Sequence, residues 1–163
     1  MYPEQPKFER EITTGEQLEF IGSVFEKEAP VWLIGGYAED ALLYEGVSSG
    51  HGDVDLVALR DDEKRLEDYF RQKGFSVTPI VEAGSEKPLK FSLERGGVKV
   101  DVGFIDYDET KKQPYVDVEG REKRKFRVFL DKDMFKYNPT KLGDIEVKTV
   151  SPLSIIQVRE AFY

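Results

Sequence analysis

Val31-Trp32-Leu33-Ile34-Gly35-Gly36, followed after a short interval by His51-Gly52-Asp53-Val54-Asp55-Leu56, is the stretch on which the fold turns. In an extended backbone successive side chains alternate between faces, so Asp53 and Asp55 are expected to project together while Val54 and Leu56 turn to a core. Carboxylates held that close repel each other. A hard cation such as Mg²⁺, which prefers oxygen ligands and usually brings substrate phosphates with it, relieves the repulsion. The chemistry suggested is phosphoryl or nucleotidyl transfer.

Upstream of this stretch, Thr14-Gly15-Glu16-Gln17 reads as a capping box opening a helix along which Leu18, Ile21 and Phe25 recur at helical spacing. Pro30 ends that helix, and Val31 to Ile34 reads as a short buried strand. After the glycines, Tyr37 to Tyr44 has helical character, and Glu45 to Gly52 reads as a loop. Downstream, Val54 to Leu59 is a second apolar strand. Asp61, Asp62 and Glu63 then open a helix, where negative charge suits the positive end of the dipole, and Gly74 caps it. Strands follow at Phe75 to Ile80, Phe91 to Glu94 and, across a Gly96-Gly97 turn, Val98 to Ile105. Phe126 to Leu130 and Ile145 to Val150 extend the sheet, and Ser151-Pro152 opens a last helix, Leu153 to Phe162. The expected fold is α/β (α+β), a mixed and largely antiparallel sheet flanked by helices.

The 163 residues predict one domain, 1–163, with no linker or repeat. With 39% hydrophobic and 34% charged residues the chain has a globular composition, and without cysteine it has neither disulfides nor thiolate metal sites. No apolar run is long enough to span a membrane, and Met1 to Gln5 has no signal-peptide character, so a cytoplasmic location is the default. A net charge of −8 argues against nucleic acid as a partner.

A third carboxylate comes from Val98-Lys99-Val100-Asp101-Val102-Gly103-Phe104, where the valines and Phe104 alternate onto one face and leave Asp101 on the other with Lys99 and Gly103. Paired beside Val54 to Leu59, this strand would bring Asp101 to Asp53 and Asp55, and such a trio can hold two metal ions. Gly35-Gly36, between a strand and a helix, lets backbone approach a phosphate at a helix N-terminus.

Each feature alone also has a plainer reading. An isolated Asp-x-Asp is commonly a solvated strand end, and a Gly-Gly pair commonly a tight turn; only their combination argues for a site. His51, the single histidine, is a loop residue or a phosphate contact. Asp40 reads as a tie between its helix and a nearby loop or basic residue, Trp32 as core, and Tyr37 as a base-stacking or helix-capping residue. Lys111-Lys112 and the Arg121 to Lys125 cluster read as solvated hairpin charges. Lys90 and Lys99 are alternative phosphate ligands, with Lys99 favoured because it shares a strand face with Asp101.

Gly35-Gly36, Asp40-Ala41-Leu42-Leu43, His51-Gly52-Asp53-Val54-Asp55-Leu56 and the separate Val100-Asp101 together resemble the nucleotidyltransferase superfamily typified by DNA polymerase beta. Within it the chain is most similar to the small lincosamide and aminoglycoside-2''-adenylyltransferase group, including the closing segment Val147 to Leu153. The resemblance implies an Mg²⁺-dependent enzyme moving a nucleoside monophosphate, AMP, from a nucleoside triphosphate to a hydroxyl of a small molecule such as an antibiotic. It implies Asp53 and Asp55 as ligands of two Mg²⁺ ions, Asp101 as third ligand and general base, and Gly35-Gly36 as the triphosphate cradle, with His51 and Lys99 beside the nucleotide. Gly103 stands where lincosamide-like members tend to carry histidine, which leaves the acceptor open. The extra helical domain of larger aminoglycoside transferases has no counterpart, and a homodimer is one way to supply that wall. Two other readings stand beside this one: a nucleotide-binding relative without turnover, acting as a regulatory or antitoxin-like partner, and an unrelated Asp-x-Asp enzyme such as a phosphatase.

Overall fold

Two strands more than forty residues apart in sequence run side by side through the middle of the sheet. The computed structural model describes residues 7–162; the reading of Met1 to Gln5 falls outside them. In chain order the elements are α1 (Lys7–Glu26), β1 (Trp32–Ile34), α2 (Gly35–Tyr44), β2 (Val54–Leu59), α3 (Glu63–Gln72), β3 (Ser76–Ile80), β4 (Lys90–Arg95) and β5 (Val98–Asp108). They continue with β6 (Gln113–Glu119), β7 (Lys125–Phe129), β8 (Thr140–Leu142), β9 (Ile145–Val147) and α4 (Pro152–Phe162).

The main sheet has the order β1-β2-β5-β4-β3, and the β6–β7 hairpin extends it from the far end of β5. Its strands pair antiparallel except for β2 and β5, which are parallel. A parallel pair needs a crossover, and here the chain between them supplies α3, β3 and β4. The mixed sheet with flanking helices is the expected fold class.

Burial follows the residue pattern. Central β2 has Val54, Leu56, Val57 and Ala58 buried, as a strand covered on both faces requires. In β5 the alternation is strict: Val98, Val100, Val102 and Phe104 are buried, while Lys99 is exposed and Asp101 and Gly103 are half-buried. Phe91 of β4 meets Phe104 edge-on at 4.8 Å, an arrangement that adds about 0.5–1.5 kcal/mol to their burial. Phe20 of α1, Phe70 of α3 and Phe75 form a second aromatic group, with Phe20 and Phe75 5.2 Å apart. Both glycines of the Gly96-Gly97 turn have positive φ, which a tight hairpin between β4 and β5 demands.

The structure departs from the sequence reading in five places, the first being that β9 pairs with β8 in a separate two-stranded sheet, so that Ile145 to Val150 joins the main sheet only through a single Leu33–Thr149 bridge. Helix α1 runs through Thr14 and Gln17 rather than starting there, and the side chain of Gln17 is engaged by another part of the chain instead of capping its own helix. Helix α2 starts at Gly35 itself, so no separate turn precedes it. Asp53 lies in a bend ahead of β2, outside the ladder that begins at Val54. Strands β6 and β8 were not expected: Pro114 breaks the strand signal of β6, and β8 is three residues long. Ser151 does cap α4, its hydroxyl accepting from the Ser154 amide at 3.2 Å.

Candidate active site

The register of β2 and β5 makes Asp55 and Asp101 direct partners, at the spacing of about 4.8 Å between adjacent strands. On the other side, Ile34 at the end of β1 is the partner of Asp55, so the chain enters α2 beside that carboxylate. Gly35 has φ +72°, and a Cβ there would stand 2.6 Å from Asp55 Oδ2. Only glycine fits, both in conformation and in space. A Cβ on Gly36 would strike the imidazole of His51. The glycine pair therefore lies against the paired carboxylates on one side and the single histidine on the other.

Charge is concentrated here. The Asp55 carboxyl is pushed up to about 6, first by burial and then by the neighbouring charges of Asp101 and Asp53. Lys90 and His51 act in the opposite direction. The Lys90 ammonium is 3.1 Å from Asp101 Oδ2; Lys90 is the cross-strand partner of Gly103, and its side chain reaches diagonally to the aspartate. Lys99, favoured from the sequence, is exposed on β5, and Lys90 is the cation at the carboxylates.

His51 is held rather than free. Its Nε2 lies 2.9 Å from Asp40 Oδ2, and Asp40 also accepts from the Ser48 hydroxyl at 2.5 Å and the Ser48 amide at 3.1 Å. Although burial raises the Asp40 carboxyl, these hydrogen bonds and the histidine outweigh it, and its pKa lies below the usual carboxylate range. Tyr37 is buried with its ring edge-on to His51 at 4.5 Å, so it neither stacks on a base nor caps the helix. Trp32 is half-buried against Phe135 at 4.4 Å.

A cavity of about 310 Å³ opens from these residues, lined by Gly35, Asp55, Lys90 and Asp101 at one end and by Ile155, Val158 and Arg159 of α4 at the other. Arg159 is ion-paired with Glu39 of α2, which ties the last helix to the glycine-led one across the mouth. Lys111-Lys112 and Arg121 to Lys125 sit at the β5–β6 and β6–β7 turns and do not line this cavity.

The donors fit a hard divalent cation in kind. Asp53, Asp55 and Asp101 offer only oxygen ligands, and a cation bound there would offset the burial and the neighbouring charges that raise the Asp55 carboxyl. Among the described residues no three acidic or histidine side chains are already drawn into one ligand cluster, and Asp101 is turned to Lys90.

Lys90, an alternative phosphate ligand in the sequence reading, is preferred to Lys99 only with the fold in hand, and Gln17 is legible only there. Gln17 stands four residues before Ile21 on the buried stripe of α1, and a polar residue at an apolar spacing is the one signal the sequence gives for it.

A family model of aminoglycoside-2''-adenylyltransferases matches residues 19–162, and the chain belongs to that family of nucleotidyltransferases. Similar solved structures include the lincosamide antibiotic adenylyltransferase LnuA bound to lincomycin, with 18% identity and a TM-score of 0.60 over 88% of this chain and 84% of that one. Another is ANT(2'')-Ia in complex with adenylyl-2''-tobramycin, with 18% identity and a TM-score of 0.58 over 90% of this chain and 72% of that one. At such identity these likenesses establish the fold. No curated protein sequence matches the chain. Among the described residues no helix is long and apolar enough to cross a membrane.

Proposed function

We propose that the protein adenylylates a hydroxyl of a small molecule, with an antibiotic as the acceptor class that the family and the neighbours' bound molecules support. The observation that carries the reading is the pairing of Asp55 with Asp101 beside a glycine whose Cβ would strike Asp55. Residues 1–163 are read as one nucleotidyltransferase-like unit.

Asp53, Asp55 and Asp101 are the residues that would hold magnesium, two ions in this reading. Bound there, the metal would neutralise the triphosphate and the departing pyrophosphate. Gly35 and Gly36 would let the phosphates approach the first turn of α2, with His51 beside them and Lys90 free to leave Asp101 for a phosphate oxygen. Asp101 would then take the proton of the acceptor hydroxyl as its oxygen bonds to the α-phosphorus and the bond to pyrophosphate breaks. Positioning and charge neutralisation supply the acceleration. The acceptor would enter through the cavity toward α4, and a second copy of the chain is a candidate for completing its wall.

The test is Mg²⁺-dependent release of pyrophosphate from each nucleoside triphosphate across aminoglycosides, lincosamides and simple polyols. Release with ATP and one acceptor class, lost in Asp101→Asn, supports the reading. Nucleotide binding with no turnover on any acceptor would instead favour the binding-only relative.

A further inference from the structure

Asp53 is the one carboxylate of the trio that the sheet does not hold. It is exposed, it precedes β2, and the ladder of β2 with β5 begins one residue later. On its N-terminal side its place is set by the backbone that leads into it.

That backbone is gripped by a fully buried amide. Gln17 of α1 donates from Nε2 to the carbonyl of His51 at 2.9 Å and to that of Gly52 at 3.1 Å, and its Oε1 accepts from the hydroxyl of Tyr37. These carbonyls belong to the two residues immediately before Asp53. Tyr37 also sets its ring against His51, and the Asp40 and Ser48 bonds hold the histidine from the other side. Donors and acceptor of Gln17 are thus all used, which a buried amide requires: an unpaired polar group there would cost about 1–3 kcal/mol. The helix face it sits on is otherwise lined by Ile21, Val24 and Phe25, where an apolar residue would bury without that demand.

We propose that Gln17 and Tyr37 are positioning residues of the nucleotide site. By fixing the His51 and Gly52 peptides, they set where Asp53 stands relative to Asp55 and Asp101. The proposal rests on the reading of those aspartates as an Mg²⁺–nucleotide site. It assigns to α1, which contributes no ligand, control over the affinity of that site.

The test measures binding of α,β-methylene-ATP with Mg²⁺ to the wild type, Gln17→Leu, Tyr37→Phe and the double variant, alongside urea unfolding of each. Gln17→Leu should weaken binding by about 10–100-fold, the usual effect of losing an outer-shell support. Tyr37→Phe should weaken it by about threefold, the worth of one neutral hydrogen bond. The double variant should match Gln17→Leu, because both act through one amide. A lowered urea midpoint with wild-type affinity in the folded variants would show a merely structural staple and overturn the proposal. If Gln17→Leu does not fold, unchanged affinity in folded Tyr37→Phe overturns it alone. Absence of binding to the wild type would instead overturn the underlying site.

Discussion

Asp55 and Asp101 are register partners on the parallel pair β2 and β5, and the Lys90 ammonium, 3.1 Å from Asp101, partly offsets their charge. Side-by-side carboxylates without a bound cation oppose the fold that holds them. Asp55→Asn should therefore raise the melting midpoint of the metal-free protein at pH 7.5 by a few degrees while abolishing its stabilisation by Mg²⁺ with nucleotide. Differential scanning fluorimetry with and without Mg²⁺ and α,β-methylene-ATP measures both effects, and a lowered metal-free midpoint would contradict the strain assigned to the pair.

The pH dependence follows from the same carboxyl. Its folded pKa, about 6, lies above the unfolded value, so between pH 4 and pH 6 the folded state of the metal-free protein binds the extra proton. This group's contribution to stability is present at pH 4, falls as pH rises through 6 and stays absent above it. Magnesium needs the ionised form, so its affinity should drop about tenfold per pH unit below 6. Titrating Mg²⁺ with nucleotide at pH 7.5, 6.0 and 5.0 checks this.

Gly35 and Gly36 are predicted to be irreplaceable for different reasons. Alanine at 35 meets Asp55 Oδ2 at 2.6 Å and adds left-handed strain of about 1–2 kcal/mol, so Gly35→Ala should destabilise the fold and abolish transfer. Alanine at 36 displaces the His51 ring without left-handed strain. Gly36→Ala should remain folded but bind nucleotide weakly, and urea unfolding with a binding isotherm separates the two.

Lys90 is predicted to serve the nucleotide rather than the fold. It is about two-fifths exposed, and a surface-accessible pair of this kind contributes about 0–1 kcal/mol. Lys90→Met should leave the urea midpoint nearly unchanged while raising the KM for ATP about tenfold. Lys99→Met, on the exposed end of β5, should change that KM little.

Much of this was legible in the sequence where local pattern and tertiary role coincide. The alternation of Val98 to Phe104 placed Asp101 on its face, and the apolar run Val54 to Leu59 gave β2 to the residue. Gly96-Gly97 announced its hairpin. What was hidden depended on contacts remote in sequence. The pairing of β2 with β5 had to be supposed, since nothing local fixes which strands neighbour each other. Gln17 has the local look of a capping partner for Thr14 and is instead spent on a loop 34 residues away. Lys90 reaches Asp101 from β4, a strand whose neighbour no local pattern fixes.

The central claim is that Asp53 and Asp55, with Asp101 beside them, form the magnesium–triphosphate site. The most direct measurement is the binding isotherm of α,β-methylene-ATP with Mg²⁺ for the wild type and for the double variant Asp53→Ala, Asp55→Ala. The account predicts saturable, Mg²⁺-dependent binding to the wild type and its loss in the double variant. Equal binding to both, or binding indifferent to Mg²⁺, would contradict it.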